Sequence, residues 1–135
     1  MLANGDQDTI RLSTNNGLTG YKIKSLRLFP EKFGEDAYES VVLVFKYEQD
    51  AVTAVVNFDD PTLLAAGSYS SHPNAHLYAD DEDVVFDNVT FNQDIFITHS
   101  DPQGSSMNYY LELEQVRLDV NEAAITTLKD MRGSN

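Results

Sequence analysis

The residues best able to do chemistry in this chain are carboxylates and three histidines. Asp80, Asp81, Glu82 and Asp83 run consecutively, with Asp87 and Asn88 close behind. Such hard oxygen donors could ligate calcium. The run lacks the glycine at the sixth position and the glutamate at the twelfth that an EF-hand loop requires, so a solvated acidic loop is the better reading. Asp6 and Asp8 make a weaker version of the same pattern. His72 and His76 are four apart, a spacing that puts two ligands on one face only in a helix, and Pro73 between them argues against a helix. With His99 they read as exposed loop histidines. No serine stands in a Gly-x-Ser-x-Gly elbow; Gly67-Ser68-Tyr69 is a fragment of one. Phosphate-cradling glycine loops are absent from the sequence. Carboxylate pairs of the glycosidase kind are defined by spatial separation, and 22 acids in one chain make any two uninformative. No catalytic set, metal site or cofactor site emerges, and the expectation is a protein that is not an enzyme.

The charge pattern says more. Nine basic residues against 22 acidic ones give a formal charge of −13, which argues against nucleic acid and against anionic membrane surfaces as partners. From Tyr47 to Val116 the chain has 13 acids and no Lys or Arg. An electrically lopsided domain of this kind suits docking against a basic surface, while its acidic remainder repels copies of itself; generic solubility explains the bias equally well. Seven Tyr and seven Phe within 135 residues are enough to build one core. Cysteine is absent, so disulfides and thiolate chemistry are excluded. The longest apolar run, Val41 to Phe45, is far below the about 20 residues of a membrane-spanning helix. Met1 to Thr9 lacks the basic start and apolar stretch of an export signal, so the Asn88-Val89-Thr90 sequon is treated as chance.

The elements that must carry these residues read as mostly β. Residues 1–20 are polar, with Ile10, Leu12 and Leu18 as apolar anchors, and are expected to form an extended arm that a partner orders. Tyr21 to Phe29 changes apolar phase, Tyr21 and Ile23 giving way to Leu26 and Leu28, which predicts a strand with a bulge near Ser25. Tyr38 to Glu48 is apolar on both faces and predicts a central strand. Val52 to Phe58 alternates and is expected to pair with it as a hairpin. Pro61 to Ala66, closed by Gly67, predicts a short helix, and residues 67–83 an exposed functional loop. Two short strands or one bent strand follow between Val84 and Ile97. Asp-Pro-Gln-Gly within residues 100–106 is the clearest turn. Met107 to Leu118 predicts a strand wet on one face, and residues 121–132 a short amphipathic helix with Asn121 as cap and Ala124, Ile125, Leu128 and Met131 as its apolar set. About six to eight strands and one terminal helix add up to a single all-β domain over residues 21–135, a jelly-roll-like β-sandwich.

The order of segments adds a family expectation. Arg11-Leu12-Ser13-Thr14-Asn15-Asn16-Gly17-Leu18-Thr19-Gly20-Tyr21 is followed by Val55-Val56-Asn57-Phe58-Asp59-Asp60 with Leu63-Leu64-Ala65, and by Val85-Phe86-Asp87 and Asn92-Gln93-Asp94-Ile95-Phe96-Ile97-Thr98. Asn108-Tyr109-Tyr110-Leu111-Glu112-Leu113-Glu114 and residues 124–132 complete the series. Together they resemble small, mostly uncharacterised structural proteins of marine tailed bacteriophages. The resemblance implies a virion component, made in the host cytoplasm: a capsid decoration (cement) or minor capsid protein. Its partners would be the major capsid protein or other virion proteins, and it would act as a homo-oligomer or symmetric multimer. Arg11, Leu12, Leu18 and Tyr21 are then the arm residues expected to lie along a neighbouring subunit. The alternative is a tail, neck or receptor-adhesion module whose Tyr69 and Tyr78 stack on a host glycan.

Overall fold

The computed structural model describes residues 1–72, 80–86 and 88–132. Seven strands form two antiparallel sheets, followed by one helix. In chain order these are β1 (Gln7–Ile10), β2 (Thr19–Pro30), β3 (Tyr38–Phe45), β4 (Leu63–Ser71), β5 (Asp80–Val85), β6 (Ile95–Ser100), β7 (Met107–Arg117) and α1 (Val120–Arg132). The larger sheet has the order β1-β6-β3-β4-β5, the smaller is the β2–β7 ribbon, and the two do not close into a barrel.

The β2–β7 ribbon is long because both strands alternate over many residues, and it changes phase where the apolar pattern does. Ile23 pairs with Leu113 and Ser25 with Glu112, so Lys24 is the extra residue of a bulge. That one insertion returns Leu26 and Leu28 to the side already occupied by Ile23. This side meets Val42 and Val44 of β3, Leu64 and Tyr69 of β4, and Ile95 and Ile97 of β6, with Leu2, Phe91 and Met107 filling the ends. Tyr38 stands edge-on to Tyr69 at 5.7 Å between ring centroids, and its hydroxyl accepts the Lys32 N–H at 2.9 Å.

Strand β3 is central and apolar on both faces, as its sequence requires. Its second face, with Leu43 and Phe45, joins Leu63, Ala66 and Phe86 in a smaller cluster. Val56 and Phe58, from the segment between β3 and β4, lie beside this face, and Phe58 meets Phe86 edge-on at 5.5 Å.

Several expectations are corrected. Residues 1–20 are not a free arm: β1 pairs with β6, and Leu2, fully buried, exchanges backbone hydrogen bonds with Met107. Val52 to Phe58 is not a strand. β4 and β6 flank β3, and Thr53, Asn57 and Asp60 instead turn their side chains onto backbone N–H groups two residues on. Pro61 to Ala66 is not a helix, because Leu63 to Ala66 are buried in β4, where packing overrides the local Pro and Gly signals. The acidic run is not a loop: Asp80 to Asp83 pair with Ser70 to Gly67 as the edge strand β5. Four carboxylates on a sheet edge discourage another strand from adding there. The turn after β6 stands as read, with Gly104 at φ 77°.

Candidate protein-interaction surface

Helix α1 begins with a reciprocal cap. Asp119 Oδ1 accepts the Glu122 N–H at 2.7 Å and Glu122 Oε1 accepts the Asp119 N–H at 3.4 Å, so Asp119, and not Asn121, is the cap residue. The helix then packs with its polar side inward. Asp130 is buried, its Oδ2 accepts the Asn92 N–H at 2.9 Å, and its Oδ1 lies 3.4 Å from Lys46 Nζ. The Asn92 amide, fully buried, donates to Thr127 Oγ1 at 2.7 Å, to Gly17 O at 3.1 Å and to Ala123 O at 3.4 Å. Ala123 packs beside Gly17, a position held at φ 66° where a side chain would be strained and would crowd Asn92 and Thr127. Burial raises the Asp130 pKa above the usual carboxylate value; the Asn92 N–H and Lys46 oppose this without cancelling it.

The consequence is an apolar face turned to solvent. Val120 is 74% exposed, Ile125 55% and Leu128 58%, with Ala124 and Met131 also exposed. Beside them a groove of about 640 Å³ is lined by Asn16, Leu18, Val120, Ala124 and Leu128, among others. A second cleft shares Leu18 and Val120 and continues to Arg117 and Glu122. Exposed apolar surface rimmed by polar groups marks interaction sites on soluble domains.

The residues singled out in the sequence separate. Leu18 is half-buried and lines the groove. Leu12 and Tyr21 are half-buried and pack on the main core, and Tyr21 forms a backbone bridge to Phe91. Arg11 is exposed, next to Asp94, whose carboxylate accepts the Leu12 and Ser13 N–H groups at 2.8 and 3.0 Å. Tyr69 is 6% exposed and cannot offer a face to a sugar. Tyr78, His76 and Asp87 lie outside the described residues.

A Ser–His–Asp grouping that spacing could not reveal lies between β3 and β6. His99 Nε2 is 3.0 Å from Ser40 Oγ, which donates to Asp101 Oδ2 at 2.8 Å. The order is wrong for a nucleophile. In a catalytic triad the imidazole links acid and hydroxyl, whereas here the hydroxyl links acid and imidazole. With its proton committed to Asp101, Ser40 accepts from His99 Nε2–H, which leaves Nδ1 without a partner. All three residues are buried. Asp101 also receives the Glu39 and Gln103 N–H groups and so anchors the turn after β6. His99 is therefore a core residue and not the exposed histidine expected. His72 is half-exposed, 3.5 Å from Glu39, whereas His99 meets Ser40. Among the described residues no group of three or more His, Asp or Glu is placed to hold a metal ion, and no helix is long and apolar enough to cross a membrane.

Basic side chains line β2, which packs beside the acidic strand β5, where the Arg27 charge acts on Asp83 against the burial and the Asp81 charge that raise its pKa. Lys22, Lys24 and Arg27 lie along β2, and Lys24 pairs with Glu114 of β7 at 2.9 Å. Compared with protein-family profiles, curated proteins and solved structures, the chain matches none of them.

Proposed function

We propose that this chain is a structural assembly protein that acts through protein–protein contact and is not an enzyme. The observation that carries the reading is the outward apolar face of α1 with Leu18 beside it, on a domain whose Ser40–His99–Asp101 grouping is buried and connected in a non-catalytic order. The place of assembly follows from the resemblance of segment order: a bacteriophage virion, with the chain as capsid decoration or minor capsid protein. We read the two sheets as an uneven β-sandwich, five strands against two, in place of the four and four of a jelly roll. A compact β domain with an acidic edge and an apolar face on α1 suits repeated display on a shell, where many modest contacts add up.

Mass spectrometry of purified virions whose genome encodes this chain tests the proposal. A copy number near that of the major capsid protein supports decoration of the whole shell. A few to a dozen copies support a neck, tail or vertex position. Absence from the particle refutes the virion assignment.

A further inference from the structure

The apolar face of α1 is self-complementary, and its complementarity identifies an occupant. Val120, Ala124, Leu128 and Met131 recur at the spacing that lines one side of a helix, with Ile125 adjacent. Glu122 and Lys129 are exposed and seven residues apart, two turns, so they stand on one flank of that face. If a second α1 is laid antiparallel across the first, with a two-fold axis between Ile125 and Thr126, Glu122 of each helix faces Lys129 of the other. The same axis sets Val120 opposite Met131. An isologous interface needs this property, that each residue meets its counterpart's complement under the two-fold.

Charge favours the same surface. The chain carries −13 overall, and its acidic edge strand repels copies. The flank of α1 presents the exposed Glu122 and Lys129, so two copies can meet there with opposite charges facing each other. We propose that α1 is a homodimerisation helix, pairing antiparallel with α1 of a second copy through Val120, Ala124, Ile125 and Leu128, with two symmetric Glu122–Lys129 ion pairs setting the direction. This rests on the assembly reading above and names its partner.

The test is sedimentation of the full chain over a range of concentrations, with circular dichroism confirming that each variant folds. The native chain shifts from 15.1 kDa toward twice that mass as concentration rises. Leu128→Asp abolishes the shift. Glu122→Lys and Lys129→Glu, each alone, place like charges across the axis and weaken association about tenfold. Mixed in equal amounts, these two variants regain it, because every lysine of one then faces a glutamate of the other. A native chain that stays monomeric at millimolar concentration overturns the proposal. So does a dimer that survives Leu128→Asp, or a mixture no tighter than its components. A monomeric chain that is nonetheless found in virions overturns the homodimer and leaves the assembly reading standing; a dimer absent from virions does the reverse for the virion assignment.

Discussion

Replacing Asn92 by alanine removes the amide that holds α1 to the body of the protein. Its Nδ2 serves Thr127 Oγ1, Gly17 O and Ala123 O, joining the helix to the segment that leads into β2. A net hydrogen bond contributes about 0.5–1.5 kcal/mol, and a buried polar group left unpaired costs about 1–3 kcal/mol. Gly17 O and Thr127 Oγ1 both lose this donor, and the residual space adds a small cavity term. Asn92→Ala is therefore expected to lose about 3 kcal/mol, which for a chain of 135 residues lowers Tm by about 10 °C. Urea unfolding followed by far-ultraviolet circular dichroism measures it, with a lower midpoint at unchanged m. Asn92→Asp keeps the shape, loses the donor and sets a second carboxylate beside Asp130, so at pH 7 it should be at least as damaging and recover on acidification. A loss under about 1 kcal/mol for Asn92→Ala would mean that water or neighbouring donors replace the amide, and the latch argument would fail.

Other substitutions probe separate parts of the fold. Because burial holds the folded pKa of Asp130 above its unfolded value, the native state binds the extra proton, and stability falls as pH rises from the ordinary carboxylate range through the folded pKa. Asp130→Asn should remove that fall, visible as a flatter Tm profile in mildly acidic buffer. Asp94 behaves oppositely. Desolvation of its carboxyl is outweighed by the Ser13 and Leu12 N–H groups and by Arg11, so its pKa is lowered; its contribution is present above the unfolded value and lost as pH falls through the folded one. Asp94→Ala should accordingly destabilise at neutral pH and converge on the native chain in strong acid. Tyr109 is pushed up to about 12 by burial, by the charge of Asp8 and by its hydrogen bond to Asp8 Oδ2, so phenol titration should show a late step near that pH that vanishes in Tyr109→Phe. Gly67→Val in β4 would drive a side chain against Asp83 Oδ1, 2.9 Å from an ideal Cβ, and against Leu26 and Leu28, and should cost about 2–3 kcal/mol by thermal melting.

What the sequence made legible is what depends on local phase. The bulge in β2, the two-sided apolar strand β3, the turn closed by Gly104 and the helix at the C-terminus all follow from spacing that one segment carries by itself. Pairing is not local. Val52 to Phe58 alternates as a strand should, yet the place beside β3 belongs to β4, and nothing in either segment says which wins. Ala65-Ala66-Gly67 has the composition of a helix end, while what selects a strand is the closeness of Leu26 and Leu28 from the ribbon. Residues 1–20 read as an arm because three scattered anchors, Ile10, Leu12 and Leu18, look weak in isolation; Leu2 is buried through Met107, more than a hundred residues away in sequence. In the candidate surface, Leu18 and the apolar set of α1 were legible as residues. Their orientation was not, since it depends on Asn92 and on Lys46, both remote in sequence.

That orientation carries the functional argument furthest. An amphipathic helix ordinarily turns its apolar stripe to the core, and full burial of one Val, Leu or Ile side chain is worth about 1.5–3 kcal/mol. Helix α1 buries Ala123 and the Asp130 carboxyl instead, with Thr127 half-buried, and the Asp130 Oδ1 atom faces Lys46 without an aligned hydrogen bond. A lone domain gains little from this arrangement. It becomes economical once Val120, Ile125 and Leu128 are buried against another surface, because the polar latch then fixes the helix while the apolar face supplies the contact. The measurable consequence is a stability that depends on assembly. In dilute monomer Leu128→Ala should cost under about 0.5 kcal/mol, as exposed positions do, whereas Leu26→Ala, in the main core, should cost about 2–5 kcal/mol. At concentrations where the native chain associates, its Tm rises with concentration and that of Leu128→Ala does not. Were Leu128→Ala as costly in the monomer as Leu26→Ala, the helix would be packed apolar side inward in solution, and both the docking face and the role built on it would fall.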